Sequence, residues 1–161
     1  MSAPIRPATA SDVGSITDVI NRAYQVESFF KIGDRTSAAE VAEKMSEPGA
    51  LFLVVDNEPG AEHRLAGAVF VRVDGDRGYF GPLAVDPSAQ GRGLGRALIE
   101  SAEAHSRERG CRHMDLDIVN LRTELPAFYR ALGYVESGMK PFPKEERLSR
   151  PAHMVLMTKE L

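Results

Sequence analysis

Cysteine is almost absent from this chain. Of 161 residues only Cys111 is one, so no disulfide forms within the chain and no cysteine-based metal cluster can be built. It is expected to be a small, buried residue, since no sequence neighbour marks it as a nucleophile. Histidine is equally sparse. The four present are scattered without ligand spacing, and no metal site is expected. No apolar run approaches the ~20 residues of a membrane span. Residues 1–10 lack the basic-then-apolar order of a signal peptide. The expectation is a cytoplasmic protein without membrane association. Basic charge is also short. The formal net charge of -3 argues against sequence-independent nucleic-acid binding, which needs a basic face. It is compatible with a cationic substrate. There is no internal repeat, low-complexity tract or linker. What remains is 43% hydrophobic and 27% charged, an ordinary globular make-up. A single domain spanning 1–161 is the simplest organisation, long enough for a substantial core.

Against that background stands Val85-Asp86-Pro87-Ser88-Ala89-Gln90-Gly91-Arg92-Gly93-Leu94-Gly95-Arg96. An apolar segment (Leu83, Ala84, Val85) runs into Asp-Pro, which stops a strand. Leu94, Ala97, Leu98, Ser101, Ala102 and His105 then recur at helical spacing. The order is strand, glycine loop, helix. Amides at the start of that helix have no intrahelical partner, and the helix dipole adds partial positive charge. Glycines allow positive φ and close approach, and Arg92 and Arg96 bring full charges. This is an anion site suited to phosphate or pyrophosphate. It lacks the Gly-Lys-Ser/Thr ending of a P-loop. The dinucleotide pattern started at Gly91 would need glycine where Arg96 stands. The remaining pattern, Gln90-x-x-Gly93-x-Gly95, resembles the acyl-CoA pyrophosphate loop of the GCN5-related N-acetyltransferase (GNAT) superfamily. The match extends through Leu83-Ala-Val-Asp-Pro before it and Arg96-Ala-Leu-Ile-Glu after it. A ligand-free glycine turn is the bland alternative, outweighed by agreement across the whole block.

Taken in order, Ile5-Arg6 between prolines reads as a short edge strand. Ser11 is expected to cap a helix with Val13, Ile16, Val19, Ile20, Ala23 and Tyr24 on its apolar stripe. Ser37 and Glu40 fit a capping box for a second helix. Residues 51–55 read as a strand covered on both faces, and 65–73 as the next. Residues 79–85 form a strand broken at Gly81-Pro82, because proline cannot donate to a ladder. The glycine-loop helix is closed by Gly110. In residues 112–119, Met114, Leu116 and Ile118 alternate with His113, Asp115 and Asp117. Thr123 is expected to cap a short helix with Pro126 in its first turn and Phe128 paired with Leu132. Two strands, 134–139 and 153–158, flank a polar loop at 141–151 expected to be mobile. The fold class is α/β (α+β), of order β-α-α-β-β-β-α-β-α-β-β, which is what a GNAT fold requires. That means a mixed, mostly antiparallel twisted sheet of about seven strands with about four helices.

The resemblance carries site residues with it. Leu83, Ala84, Val85, Gln90, Gly91, Arg92, Gly93, Leu94, Gly95 and Arg96 fall where the family binds acyl-CoA. Asn120 is also carried over for the CoA arm, though it lies about two residues further from the tyrosine than the family spacing. Phe128-Tyr129-Arg130-Ala131-Leu132-Gly133-Tyr134 resembles the family's late helix, which makes Tyr129 the proton donor to a departing thiolate. A narrower resemblance, to a little-characterised branch, rests on Ala23-Tyr-Gln-Val-Glu27, Gly33-Asp-Arg-Thr36 and Leu121-Arg-Thr-Glu-Leu-Pro-Ala-Phe-Tyr129. Glu27, Tyr24 and Phe30 are the acceptor-side candidates. The strand at 79–85 carries no carboxylate, unlike that of many members. The implied function is transfer of an acetyl group from acetyl-CoA, as cosubstrate, to a small-molecule amine or a protein amino group. The alternative is a non-catalytic acyl-CoA binding or sensing module. A homodimer is the oligomer considered.

Overall fold

The structure, a computed structural model, describes residues 4–161. Strands β1 (Ile5–Pro7), β2 (Ala50–Asp56), β3 (Leu65–Asp74), β4 (Arg77–Val85), β5 (His113–Val119), β6 (Val135–Pro141) and β7 (His153–Glu160) form one sheet in the spatial order β1-β2-β3-β4-β5-β7-β6. Helices α1 (Val13–Ala23), α2 (Ala38–Met45), α3 (Leu94–Glu108) and α4 (Leu125–Ala131) cover both faces. The expected element order holds. Every neighbouring pair is antiparallel except β4 and β5.

Strand periodicity divides the core in two. Ile16, Val19 and Ile20 of α1 and Val41 of α2 pack on Phe52, Val54, Ala68, Phe70 and Ala84. The alternate residues Leu53, Val55, Val69, Val71 and Phe80 face Leu98, Ile99 and Ala102 of α3 and Tyr129 of α4. Helices on both faces explain why β2 reads as an unbroken apolar run. Burying each such side chain is worth ~1.5–3 kcal/mol. Helix α3 approaches β4 closely at Gly78, where a Cβ would lie 2.5 Å from Ser106 Oγ and 2.8 Å from Met114 Sδ.

Strands β4 and β5 pair only through Arg77–His113, Gly78–Met114 and Tyr79–Asp115. Beyond Tyr79 they part. Gly81-Pro82 follows at once, and the β3–β4 register shifts there, between Val69 and Val71. The sequence break at Gly81-Pro82 therefore coincides with the mouth of a fork. Strand β5 keeps its ladder with β7 throughout, from His113 to Val119.

Several local expectations are corrected. Thr9, not Ser11, caps the first helical turn. Its amide donates to Asp12 Oδ2 at 2.8 Å, and the Asp12 amide donates to its carbonyl at 2.9 Å. Asp12 wins the turn because Arg6 holds its carboxylate (2.9 Å). Only half of the second capping box forms. The Glu40 amide donates to Ser37 Oγ, while the Glu40 carboxylate is taken by Lys144 at 3.0 Å. Glu124, not Thr123, precedes α4. Phe128 is exposed and lies edge-on to Tyr129, so it does not share the core with Leu132. The 141–151 loop is pinned, not mobile. The Ile32 amide donates to the Arg147 carbonyl and the Ser149 amide to the Phe30 carbonyl, each at 2.8 Å, around a bridge between Lys31 and Leu148.

Candidate active site

The loop after β4 is built on Asp86. Its carboxylate accepts from the Ser88 amide (3.0 Å), the Ser88 hydroxyl (2.9 Å) and Arg22 of α1 (2.9 Å). Burial alone would raise its pKa, and these donors outweigh it, so the carboxyl sits below its usual range. Gly91 and Gly93 then take φ of +81° and +78°, which an L side chain adopts only at a cost of ~1–2 kcal/mol. A Cβ at either would meet nothing within 4 Å, so the loop surface is open. Among the described residues no protein group accepts the amides of Gln90, Gly91, Arg92 or Gly93. Leu94, Gly95 and Arg96 form the first turn of α3, where amides have no intrahelical acceptor. The amides of residues 90–96 are thus all available to donate. Arg92 and Arg96 are exposed, and Arg96 pairs with Glu100 at 3.2 Å.

Tyr129 enters the fork from α4. Its ring is buried, with centroids 6.1 Å from Phe80, 6.0 Å from Tyr134 and 5.0 Å from Phe128. Tyr134 is tied down, since its hydroxyl donates to Glu103 at 2.7 Å and Glu103 pairs with Lys159. The Tyr129 hydroxyl makes no hydrogen bond among the described residues. Nor is it sealed in: of those residues, only Arg22 has a side-chain polar atom both buried and unpartnered. Burial and then Tyr24 push the Tyr129 pKa up, against Arg122, so it keeps its proton. Tyr24 reaches the fork from the α1 face. Burial raises its pKa too, while the Leu83 backbone amide, close to the hydroxyl, works the other way. Leu83, Ala84 and Val85 lie on the part of β4 beyond its pairing with β5. The Asn120 amide donates to the His153 carbonyl (2.9 Å), and its side-chain oxygen accepts from the His153 amide (2.8 Å). That oxygen is committed to β7.

Glu27 closes the Tyr24–Glu27 turn and is 6% exposed. Its carboxylate pairs with Arg122 at 3.1 Å, and Arg122 also holds Glu124 at 2.9 Å. Burial raises the Glu27 pKa, opposed by Arg122, Arg35 and Lys31. Phe30 is fully buried, and its amide donates to the Glu27 carbonyl at 3.1 Å. Across the sheet, the Tyr79 hydroxyl donates to Asp117 Oδ1 (2.9 Å), and Lys140 holds Asp117 Oδ2 (2.7 Å). Among the described residues no group of three His, Cys, Asp or Glu side chains is arranged to hold a metal ion. No helix of the described residues is long and apolar enough to cross a membrane.

The Acetyltransferase (GNAT) family matches residues 17–134. The chain belongs to this family. Glucosamine 6-phosphate N-acetyltransferase 1 of Oryza sativa subsp. japonica is 37% identical over 105 residues, covering 61% of this chain and 62% of that protein. A mycothiol acetyltransferase of Clavibacter sepedonicus is 34% identical over 99 residues, covering 62% of this chain and 31% of that protein. The chain thus spans less than two thirds of these relatives' length. A GNAT phosphinothricin acetyltransferase from Sinorhizobium meliloti, solved in complex with AcCoA, superposes with a TM-score of 0.74 at 23% identity. The match covers 100% of this chain and 89% of that one, and it establishes the shared fold.

Within this GNAT fold Tyr24 and Tyr129 come together beside Leu83, on the part of β4 beyond its pairing with β5, and the glycine loop follows that segment directly. Lys31, Arg35, Tyr79, Asp117 and Arg122 were missed as site residues. Arg35 and Arg122 lie inside blocks that already stood out, Gly33-Asp-Arg-Thr36 and Leu121-Arg-Thr-Glu, yet nothing local says what a guanidinium there meets.

Proposed function

We propose that this protein transfers an acetyl group from acetyl-CoA to a primary amine. The observation that carries the reading is the fork between β4 and β5. Beyond Tyr79 it leaves the edge of β4 unpaired, the loop that follows β4 carries amides that no described residue accepts, and the Tyr129 hydroxyl makes no hydrogen bond among the described residues. The open loop surface at Gly91 and Gly93 fits a bulky pyrophosphate. Amides 90–96 with Arg92 and Arg96 would hold it. Leu83, Ala84 and Val85 offer an unpaired strand edge to the pantetheine arm, and the Asn120 side-chain nitrogen remains a free donor. Acetyl-CoA supplies a thioester-activated acetyl group. The Leu83 N–H stabilises charge developing on the carbonyl oxygen. Tyr129, kept protonated by burial, donates at the sulfur. Tyr24 and Glu27 bound the amine side, and juxtaposing both reactants in one cleft supplies part of the acceleration.

The competing reading, an acyl-CoA binding module without turnover, rests on the lack of a carboxylate on β4. A thiol-release assay across a panel of amines, run beside thermal shift with CoA, separates the two. Stabilisation by CoA together with amine-dependent thiol release is expected. Stabilisation with no release from any amine selects the binding module. Absence of both overturns the assignment.

A further inference from the structure

Two cations on the α1 side of the fork lack partners. Lys31 is 8% exposed as a residue, and its ammonium, which still reaches solvent, makes no ion pair and no hydrogen bond among the described residues. Its pKa is lowered to about 8 by burial, then by Arg35, with Arg147 and Lys144 adding to the effect and Glu27 opposing it. Arg35 is half-buried and lies 5.1 Å over the Tyr24 ring, also with no carboxylate partner among the described residues. The carboxylates nearby are engaged elsewhere. Glu27 holds Arg122, Glu40 holds Lys144 (3.0 Å) and Arg147 (3.8 Å), and Asp117 holds Lys140. Lys44 of α2, stacked on Phe70 at 4.7 Å, adds a further charge whose pKa is lowered by burial and by Arg35. This concentration of positive charge occurs in a chain of net charge -3. Partly desolvated cations without a counter-ion are destabilising and attract an anion.

We propose that Arg35 and Lys31 form an anion subsite that binds a phosphate or carboxylate carried by the acceptor amine. The acceptor's place rests on the transfer reading above, whereas the anion's binding does not. A guanidinium fork beside an ammonium suits an oxyanion of either kind.

The test begins with CoA-saturated protein, so that the loop amides are occupied. Thermal stability is followed against inorganic phosphate and against acetate, with chloride at matched ionic strength as the reference. At least one anion should stabilise the wild type beyond chloride and should not do so in Arg35→Gln or Lys31→Gln. Thiol release is then compared within matched pairs: an amino sugar with and without its phosphate, and an amino acid with its amide. The anionic member should be favoured by at least about tenfold in kcat/KM. The variants should lose that preference while their CoA affinity holds. The winning pair identifies phosphate or carboxylate. Lys31→Gln keeps the test readable if loss of the Tyr24 stack unfolds Arg35→Gln. No stabilisation beyond chloride, or stabilisation that both variants retain, overturns the subsite. Release from neutral amines alone also overturns it and leaves the transfer reading standing. Anion stabilisation without release from any amine supports the subsite and overturns the transfer reading.

Discussion

On one side of the fork, the loop at residues 90–96 presents consecutive backbone amides at the start of a helix. On the α1 side, Tyr24, Glu27, Lys31, Arg35, Tyr79, Asp117 and Arg122 arrive as side chains from separate parts of the chain. The backbone surface depends on a conformation, which Gly91 and Gly93 at positive φ and the Asp86 anchor provide. The side-chain surface depends on which charges find partners. Substitution therefore reshapes the α1 side while leaving the loop as it is. The contrast recurs between Asp12, whose carboxylate is bound by Arg6, and Lys31, whose ammonium pairs with no carboxylate among the described residues.

The largest expected effect lies where the two sides meet. Tyr129→Phe keeps the ring and its packing against Phe80 and removes only the hydroxyl. Turnover should fall by ~10²–10⁴-fold with CoA affinity little changed, because the loss belongs to the transition state. The defect should shrink as pH rises past the ~8.5 of a thiol, where the leaving group no longer needs a proton. Rate against pH with a verified acceptor is the measurement. A variant within a few-fold of wild type, with chemistry limiting, reduces Tyr129 to a packing residue.

Next comes Lys31→Met, which should stabilise the ligand-free protein at pH 7 by up to about 2 kcal/mol, less than the full pKa shift implies because the ammonium reaches solvent and is screened. The Lys31 pKa is about 8 folded against 10.5 as a free side chain. Its penalty is full below pH 8 and relieved as pH rises toward 10.5, where the unfolded chain holds the extra proton. Denaturant unfolding at several pH values reads this. Equal stability of the two proteins at pH 7 would show that Lys31 already has a partner.

Asp12→Asn should do the opposite. Hydrogen bonds from Arg6 lower the Asp12 pKa from 3.8 to about 2, against burial. That pair contributes about 2 kcal/mol above pH 4, lost as pH falls toward 2. Wild type and variant should converge in acid, and a constant gap down to pH 2 would contradict the pairing.

The smallest effect belongs to the loop's side chains. Arg92→Ala or Arg96→Ala should weaken CoA by only about tenfold or less, near 1 kcal/mol, since both are exposed and screened. Gly93→Val should abolish CoA-induced stabilisation and, because φ is +78°, also lower the stability of the free protein by ~1–2 kcal/mol. If Arg92→Ala proves as damaging as Gly93→Val, the loop binds through charge and the contrast between the two sides fails.

Much of this was legible in the residues. The glycine loop was readable because a strand stop, glycines and a helical stripe adjoin one another. Gly81-Pro82 marked the break in β4 because proline's missing N–H is a local fact. Caps were misread by a residue or two. Thr9, Ser11 and Asp12 can all cap, and the choice fell to Arg6, which gathers Asp12 and Asp56 together. The 141–151 loop read as mobile from its polarity, but its carbonyls and amides meet residues 30–32 only once the β6–β7 hairpin exists.

By itself the sequence determined the order of elements, the two faces of the sheet and the glycine loop between β4 and α3. Each of these follows from periodicity or from neighbours along the chain. Only the tertiary structure decided how far β4 and β5 stay paired before they part, and which charges on the α1 side are matched and which are left over. Pairing depends on distance in space between residues far apart in sequence. Glu27 finds Arg122 across 95 positions and Glu40 finds Lys144 across 104. Among the described residues Lys31 and Arg35 pair with no carboxylate, because Glu27 and Glu40 are held by Arg122, Lys144 and Arg147.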